Sequence, residues 1–211
     1  MKENCRFGET KTCMERHCEK CELCSLFDAN RQRLMKCWPR YLTPEEGEYR
    51  MAIHLWLRNN KGEYLIQQRS GLVVKNPWKF SPLTGVVLAG EDSRNTVLRE
   101  LEEEMGITEN EITNLHEVLL IPAKEFFTEV WLCDYNGYPT RLQREEVVHA
   151  IWMNETTIRH LLENQEFVPS TQDGFTYLTW LTRWLRPPFY GRMGEFGLNH
   201  STANGTTVTG P

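Results

Sequence analysis

Apolar residues fall into short runs along the middle of the chain, and turn-forming residues separate these runs. The apolar segment 51–57 (MAIHLWL) precedes the turn sequence 59–62 (NNKG) and a second segment, 63–68 (EYLIQQ). This order predicts a β-hairpin. Further strands are predicted at 115–121, 126–135 and 147–153, and helices at 93–105, 155–164 and 175–185.

The predicted elements indicate one α/β domain with flanking segments. Strands alternate with helices, but hairpins occur among the strands, so we expect a mixed sheet covered by helices. Residues 1–24 are polar and cysteine-rich, 25–185 carry the periodic patterns, and 186–211 are rich in Gly, Thr, Asn and Pro. We therefore predict a cysteine-rich N-terminal segment, a folded domain at 25–185 and a disordered tail, since the tail has few apolar residues to bury.

The helix predicted at 93–105 has a signal at each end. Asp92 or Ser93 supplies an oxygen that caps the first turn, and Gly106 accommodates the left-handed conformation that ends a helix. At 100° per residue, one face of this helix is apolar and is expected to dock on the sheet. That face carries Val97, Leu98, Leu101 and Met105.

The adjacent face of the same helix is acidic. Glu100, Glu103 and Glu104 gather there at spacings of three and four residues. Like charges at this spacing destabilise an isolated helix by a few tenths of a kcal/mol per pair, so a cation among them would explain the arrangement. Carboxylate oxygens are the ligands that Mg2+ prefers. The alternative is a solvated acidic face without a ligand.

Glycines and charged residues around this helix form a longer pattern with fixed spacing. Gly85 is followed after five residues by Glu91, after seven more by Arg99-Glu100, after two more by Glu103-Glu104, and after one more by Gly106-Ile107. This pattern resembles the Nudix box at every defined position.

The resemblance to the Nudix superfamily extends from about residue 25 to residue 185. Segment 48–69 is similar to the first hairpin of the branch that contains isopentenyl-diphosphate isomerase-like hydrolases, and segment 26–34 to its lead-in strand pair. The resemblance implies a Nudix-type α/β/α sandwich with a mixed β-sheet.

The resemblance also implies an activity, which is hydrolysis of a diphosphate linkage in a nucleoside diphosphate derivative with Mg2+ or Mn2+. By position in the box, Glu100, Glu103 and Glu104 are similar to the metal ligands, joined by the carbonyl of Gly85. Two alternatives stay open, a nucleotide-binding sensor without catalysis and an isomerase-like enzyme. The isomerase is disfavoured because the cysteine-histidine segment of that kind is absent from the corresponding part of the sequence.

The resemblance gives further box residues a role. Glu100 is also the candidate general base, Arg99 resembles the residue that orients the box carboxylates, and Glu91 the residue that stabilises the loop. Family members often add a carboxylate from outside the box. Glu146 is the first candidate for that role and Glu145 the second, and an exposed loop acid is the alternative for both.

Substrate contacts are expected at the end of the first hairpin and after it. Arg69 can meet phosphate, and Trp78 or Phe80 can stack on a base, although packing in the core is the alternative for both aromatics. His54 lies in a bulky apolar strand, so we interpret it as a core histidine with its hydrogen bonds satisfied.

Six of the seven cysteines lie between Cys5 and Cys37. Cys13, Cys18, Cys21 and Cys24 are separated by four, two and two residues. Thiolates at such short spacing can ligate zinc, so these four cysteines are the candidate ligands. The alternative is a helix on which these cysteines act as small hydrophobic residues.

Charge and hydropathy narrow the expected partners. A formal net charge of -5 disfavours a nucleic-acid polymer as partner. The apolar runs are too short to span a membrane, and the N-terminus lacks the apolar run of a secretory signal, so we expect a cytoplasmic protein. The expected partner is a small nucleoside diphosphate derivative, and the family resemblance adds a homodimer as an expectation.

Overall fold

Nine strands and three helices build the part of the chain that the structure describes. The structure is a computed structural model, and it describes residues 22–40 and 42–184. The strands are β1 (Leu23–Phe27), β2 (Arg33–Pro39), β3 (Tyr49–Arg58), β4 (Tyr64–Arg69), β5 (Phe80–Ser81), β6 (Leu83–Val86), β7 (Thr113–Pro122), β8 (Phe126–Asp134) and β9 (Val147–Met153). The helices are α1 (Ser93–Met105), α2 (Glu155–Glu163) and α3 (Gln172–Trp184), with 3-10 turns at Glu109–Glu111 and Pro169–Thr171.

The strands form one mixed sheet around β3. The order β2-β1-β3-β4-β5 is extended by β6 and β8, which pair with β3, by β7, which pairs with β8, and by β9, which pairs with β4. Strands β3 and β8 run parallel, from Arg50 opposite Phe126 to Arg58 opposite Asp134, and the other described pairs are antiparallel. The predicted mixed sheet is confirmed, and the short strands β5 and β6 add to the predicted set.

Helices cover both faces of this sheet. Successive residues of β3 point to opposite sides, and each side carries apolar residues that a helix buries. The core beneath α1 includes Ile53, Leu55, Leu57, Leu65, Val97, Leu101 and Met105. The core beneath α2 and α3 includes Trp56, Tyr64, Ile66, Ile158, Phe167, Phe175 and Leu178. Helix α1 and the other two helices therefore enclose the sheet, which confirms the predicted α/β sandwich.

Helix α1 has the predicted bounds, and local interactions fix both ends. The Asp92 side chain accepts a hydrogen bond from the Asn95 N–H at 2.7 Å. Gly106 ends the helix with a φ of 64°, where a residue with a Cβ would be strained. Ile107 then folds back into the core, since it is fully buried.

The hairpin of β1 and β2 holds the loop that leads into α1. Cys24 pairs with Leu88, the Ala89 N–H donates to the Leu23 carbonyl at 2.8 Å, and the Ser25 hydroxyl donates to the Leu88 carbonyl at 3.3 Å. The lead-in strand pair therefore fixes the backbone of a motif loop that lies more than sixty residues later in the chain.

Cys24 contributes to the core of this hairpin. Its side chain is fully buried against Leu26 and Trp38, and its thiol donates to the Trp38 carbonyl at 3.2 Å. Because Cys24 lies on β1, its placement on a helix is wrong, although its part as a small hydrophobic residue holds. Cys13, Cys18 and Cys21, the other candidate zinc ligands, lie outside the described residues.

His54 on β3 is buried, but its Nδ1 has no hydrogen-bond partner within residues 22–40 and 42–184. The predicted core position is thus confirmed, and the predicted satisfied hydrogen bonding is wrong for Nδ1. Burial lowers the pKa of His54 from 6.5 to about 4. The unfolded chain therefore binds more protons than the folded chain between these two values, and folding stability falls as the pH drops through this range.

We expect His54→Leu to remove this part of the pH dependence. Between pH 7 and pH 4.5, the free energy of unfolding of the unchanged protein should fall by about 2 kcal/mol more than that of the variant. Urea unfolding at the two pH values measures this difference. An equal loss of stability in both proteins would show that His54 is not the titrating group.

Within the described residues, no helix is both long and apolar enough to cross a membrane. The predicted cytoplasmic location and homodimer stay predictions. The predicted tail at 186–211 and most of the cysteine-rich segment lie outside the described residues.

Candidate functional site

Gly85 on β6 leaves the space in which the side chain of Glu100, a glutamate of α1, packs against the strand. Its Cα lies opposite Ile53 of β3, on the face of the sheet that α1 covers. A Cβ at this position would lie 2.6 Å from both Cγ and Oε1 of Glu100. The glycine therefore lets a carboxylate approach the backbone of β6, and any larger residue would occupy the same space.

Arg99 connects three carboxylates on the outer part of the site. Its Nε and Nη2 donate to the two carboxylate oxygens of Glu91 at 2.8 and 3.2 Å, and Thr96 donates to Glu91 at 2.8 Å. Its Nη1 lies 3.1 Å from Glu100 and 3.0 Å from Glu103. Burial alone would lower the pKa of Arg99, but these carboxylates together raise it, so the guanidinium stays charged. The structure thus places Arg99 as a bridge between the loop and the acidic face.

Glu100 is the buried carboxylate next to Arg99. Its exposed fraction is 7%, and burial raises its pKa, whereas the charges of Arg99 and Arg40 act in the opposite direction. Glu103 is more than half exposed and is held by Arg99.

Glu104 lies deeper than the other two glutamates. One of its carboxylate oxygens, Oε2, is buried without a hydrogen-bond partner among the described residues. Burial first, then the charges of Glu100 and Glu146, raises the pKa of Glu104 to about 8, while the nearby side chains of Gln67 and Arg69 lower it. A bound cation would stabilise the charged form of this buried carboxylate, which otherwise lacks a compensating partner.

Arg69 and Glu146 come from outside the motif and meet near Glu104. The two chain segments are joined directly, because the Ser70 N–H donates to the Glu146 carbonyl at 2.7 Å. Both side chains act electrostatically on Glu104. Glu145, the second candidate, is exposed. Of the two acids, the structure brings Glu146 to the site.

The loop that follows β4, residues 70–79, begins and ends next to Arg69 and carries Trp78. Trp78 is 61% exposed, so packing in the core is wrong for this residue. Its φ is 65°, an unusual value for a residue with a large side chain, and a side chain at Gly71 would overlap its indole ring. Phe80, by contrast, is half-buried and packs against the core beneath α2 and α3, as the alternative predicted.

Arg40 is a site residue that the sequence analysis missed. Its charge acts on Glu100, although it lies sixty residues earlier at the end of β2. Its backbone is held on both sides, since its N–H donates to the Glu22 carbonyl at 2.9 Å and its carbonyl accepts from Arg50 at 2.6 Å. No local pattern marks Arg40, because contacts with distant segments, the motif loop paired to β1 and Arg50 of β3, bring it near the site.

Gln67, whose side chain lies beside Glu104, was missed as well, although it carried a signal. Residues 65, 67 and 69 share one face of β4, and Leu65 on that face is in the core beneath α1. A glutamine at the next inward position of such a strand is exceptional, because buried polar groups need partners.

The donor set of the site fits a hard divalent cation. The carboxylates of Glu100 and Glu146 act on that of Glu104, Glu100 also lies against the Gly85 backbone, and all of these groups offer oxygen. In the described residues, no three His, Cys, Asp or Glu side chains already stand in a metal-binding arrangement. Glu103 makes its ion pair with Arg99 instead, and it would have to turn from that ion pair to reach a cation beside Glu104.

Comparison with known proteins places this site in a family. The profile of the NUDIX domain matches residues 48–171, which include every residue of the motif. An uncharacterised Nudix hydrolase of Listeria monocytogenes is 30% identical over 148 residues, which cover 68% of this chain and 86% of that protein.

Solved structures show the same fold at low sequence identity. A crystal structure from Deinococcus radiodurans has a TM-score of 0.60 at 17% identity and covers 70% of this chain and 92% of that chain. The MutT protein of Methanosarcina mazei has a TM-score of 0.53 at 22% identity and covers 67% and 99%. With its intact motif, its fold and these relatives, the chain belongs to the NUDIX family of hydrolases.

Proposed function

We propose that this protein is a hydrolase that uses Mg2+ or Mn2+ to cleave a diphosphate linkage in a small nucleoside diphosphate derivative. The observation that carries the proposal is the pair of buried carboxylates, Glu100 and Glu104. Glu100 lies against Gly85, and one oxygen of Glu104 lacks any partner among the described residues. Such an arrangement costs folding stability, and a bound cation would recover that cost.

The residues that would hold the metal are Glu100, Glu103 and Glu104, with the carbonyl of Gly85. When bound, the metal would supply Lewis acidity toward the diphosphate oxygens and lower the pKa of a water. Oxygen ligands throughout favour Mg2+ or Mn2+ over metals that prefer nitrogen and sulfur.

The protein's own groups then divide the remaining work. Glu100 accepts the proton of the attacking water, because its burial raises its pKa and makes it a better base than an exposed glutamate. Glu146 is the alternative base from outside the motif. Arg99 positions Glu100 and Glu103, because its guanidinium contacts both and is itself anchored on Glu91.

Cations from two strands are suited to the diphosphate itself. Arg69 ends β4 beside Glu104, and Arg40 follows β2 beside Glu100. Guanidinium groups bind phosphate oxygens through charge-assisted hydrogen bonds. Trp78 lies in the loop that follows Arg69. Because its side chain is exposed, its indole is available to stack on the base of the substrate.

The first test is release of phosphate or nucleotide from a panel of small substrates. The panel contains nucleoside diphosphate sugars, dinucleoside polyphosphates, nucleoside triphosphates and prenyl diphosphates, each with Mg2+, with Mn2+ and with EDTA. We expect turnover of a nucleoside diphosphate derivative with either metal and none with EDTA. Nucleotide binding in equilibrium dialysis without turnover of any panel member would contradict the hydrolase and favour a sensor. Turnover of prenyl diphosphates alone would contradict the proposed substrate class.

We expect Trp78→Ala to weaken substrate binding more than catalysis. Loss of one stacking contact should raise KM about five- to tenfold and leave kcat nearly unchanged. Trp180→Ala is the matched control, since Trp180 is also an exposed tryptophan but lies on α3, across the sheet from the site. Steady-state kinetics on the substrate that the panel identifies measures both constants. A fall in kcat with KM unchanged would exclude a stacking role.

A further inference from the structure

Gln67 is buried in a place where an apolar residue would be more stable. It lies on β4 with an exposed fraction of 1%, and neither its amide nitrogen nor its amide oxygen has a hydrogen-bond partner among the described residues. Leu65 occupies the preceding inward position of the same strand and packs in the core beneath α1. A leucine at position 67 would avoid the cost of an unsatisfied buried amide.

Ser81 repeats this feature on the neighbouring strand. It lies directly opposite Gln67 in the antiparallel pair of β4 and β5, so the two side chains are on the same face. Ser81 is fully buried, and its hydroxyl also lacks a partner within residues 22–40 and 42–184. Two adjacent strands thus place unsatisfied polar groups side by side.

The third member of the cluster is Glu104. Its Oε2 is buried and unpartnered, and the side chain of Gln67 lies beside this carboxyl group on the face of β4 that α1 covers. Three polar side chains from β4, β5 and α1 therefore converge beneath the acidic face of α1. Packing alone gives no reason for this convergence, since each group costs stability in the folded chain.

We propose that Gln67, supported by Ser81, is a positioning residue that orients the Glu104 carboxylate for a divalent cation. With the cation bound, the amide N–H of Gln67 would donate to the carboxylate oxygen that faces away from the cation, and the Ser81 hydroxyl would donate to the amide oxygen of Gln67. The hydroxyl thereby fixes which end of the amide faces Glu104. Groups behind a metal ligand act in this way on its orientation and basicity.

This inference rests on the proposed function, because it requires that Glu104 binds a cation. It assigns Gln67 and Ser81 no contact with the substrate or the reacting atoms. It also explains why the polar cluster persists in the core, since the cluster's stability cost is recovered when the cation is bound.

The test uses the full chain with Gln67→Leu and Ser81→Ala, and Mn2+ as the probe without any substrate. We expect Gln67→Leu to weaken Mn2+ binding by about 10- to 100-fold, the range found for groups behind metal ligands. Titration followed by electron paramagnetic resonance measures the affinity. In EDTA, the same variant should melt higher than the unchanged protein by about 3 °C, because an unsatisfied buried amide has been removed.

Two comparisons separate positioning from general damage. The double variant should bind Mn2+ no more weakly than Gln67→Leu alone, because Ser81 acts through Gln67. His54→Leu removes another buried unpartnered group, on the opposite face of β3, and should leave the Mn2+ affinity unchanged.

The outcomes that overturn the inference differ from those that overturn the proposed function. Unchanged Mn2+ affinity in Gln67→Leu, with binding in the unchanged protein, would overturn the positioning role alone. A lower melting temperature together with weaker binding would make Gln67 a structural residue and overturn the role as well. Absence of Mn2+ binding in the unchanged protein would overturn both the metal site and this inference. If Gln67→Leu fails to fold, Ser81→Ala must show the weaker binding by itself, and unchanged affinity there would overturn the proposal.

Discussion

Glu100→Gln is expected to lower kcat by about a thousandfold, which is the middle of the range for loss of a general base. The substitution keeps the size of the side chain and its place against Gly85, but it removes the charge that binds a cation and the oxygen that accepts a proton. Glu100 is only 7% exposed, and its burial raises its pKa. Removing the charge should therefore not destabilise the metal-free protein.

The matched control for this prediction is Glu102→Gln. Glu102 lies on the same helix two residues away and loses the same charge, but its side chain is exposed and faces away from Gly85. We expect Glu102→Gln to retain kcat within about twofold, as exposed substitutions usually do. Comparable losses in both variants would indicate a nonspecific effect of helix charge, and activity retained in Glu100→Gln would exclude Glu100 as base and ligand. Steady-state turnover with Mg2+ and thermal unfolding in EDTA measure the two effects.

Helix α1 could be predicted to the residue because its signals are local. The Asp92 cap, the apolar spacing along the helix and Gly106 all act within a few residues, and the structure confirms bounds of 93–105. The carboxylates of the site could be predicted for the same reason, since their spacing on one helix fixes which of them are neighbours. The NUDIX match over 48–171 then confirms the family that this pattern indicated.

The rest of the site depends on contacts between distant segments. Arg40 comes near Glu100 through the pairing of β1 with the loop at Leu88 and the hydrogen bond from Arg50 to its carbonyl. Glu146 comes near Glu104 because its carbonyl accepts from Ser70 and because the Gln143 N–H donates to the Glu104 carbonyl at 3.0 Å. No local periodicity contains this information. The left-handed backbone of Trp78 was equally hidden, because a propensity argument disfavours this conformation for tryptophan.

Gln67 owes its surroundings to strands and a helix that are distant in sequence. Its strand was predicted correctly, and the alternation within that strand already placed a polar side chain inward. What the sequence lacked was the partner strand, since Ser81 lies on a two-residue strand that no pattern marked. The polar cluster thus became visible only when β4, β5 and α1 were assembled.

Gly85→Ala is expected to lower kcat by about a hundredfold, because a methyl group would displace the carboxylate that rests on this glycine. The added Cβ would lie 2.6 Å from Oε1 of Glu100, and a shift of about 1 Å at a catalytic group can cost that factor. The three atoms that the methyl group would meet first all belong to the Glu100 side chain, so the strain falls on that carboxylate. We therefore expect a large loss of activity with a small change in melting temperature.

Gly62→Ala is the control, because it is expected to lower stability and leave kcat unchanged. Gly62 has a φ of 79° and open space around the position of a Cβ, so alanine there strains the backbone without touching another group. That variant should lose stability and keep its kcat. In a double variant, Gly85→Ala should add little to the loss caused by Glu100→Gln, since both act on one carboxylate. Fully multiplicative losses would show that Gly85 affects catalysis independently of Glu100. They would contradict the role of this glycine in leaving space for the Glu100 carboxylate.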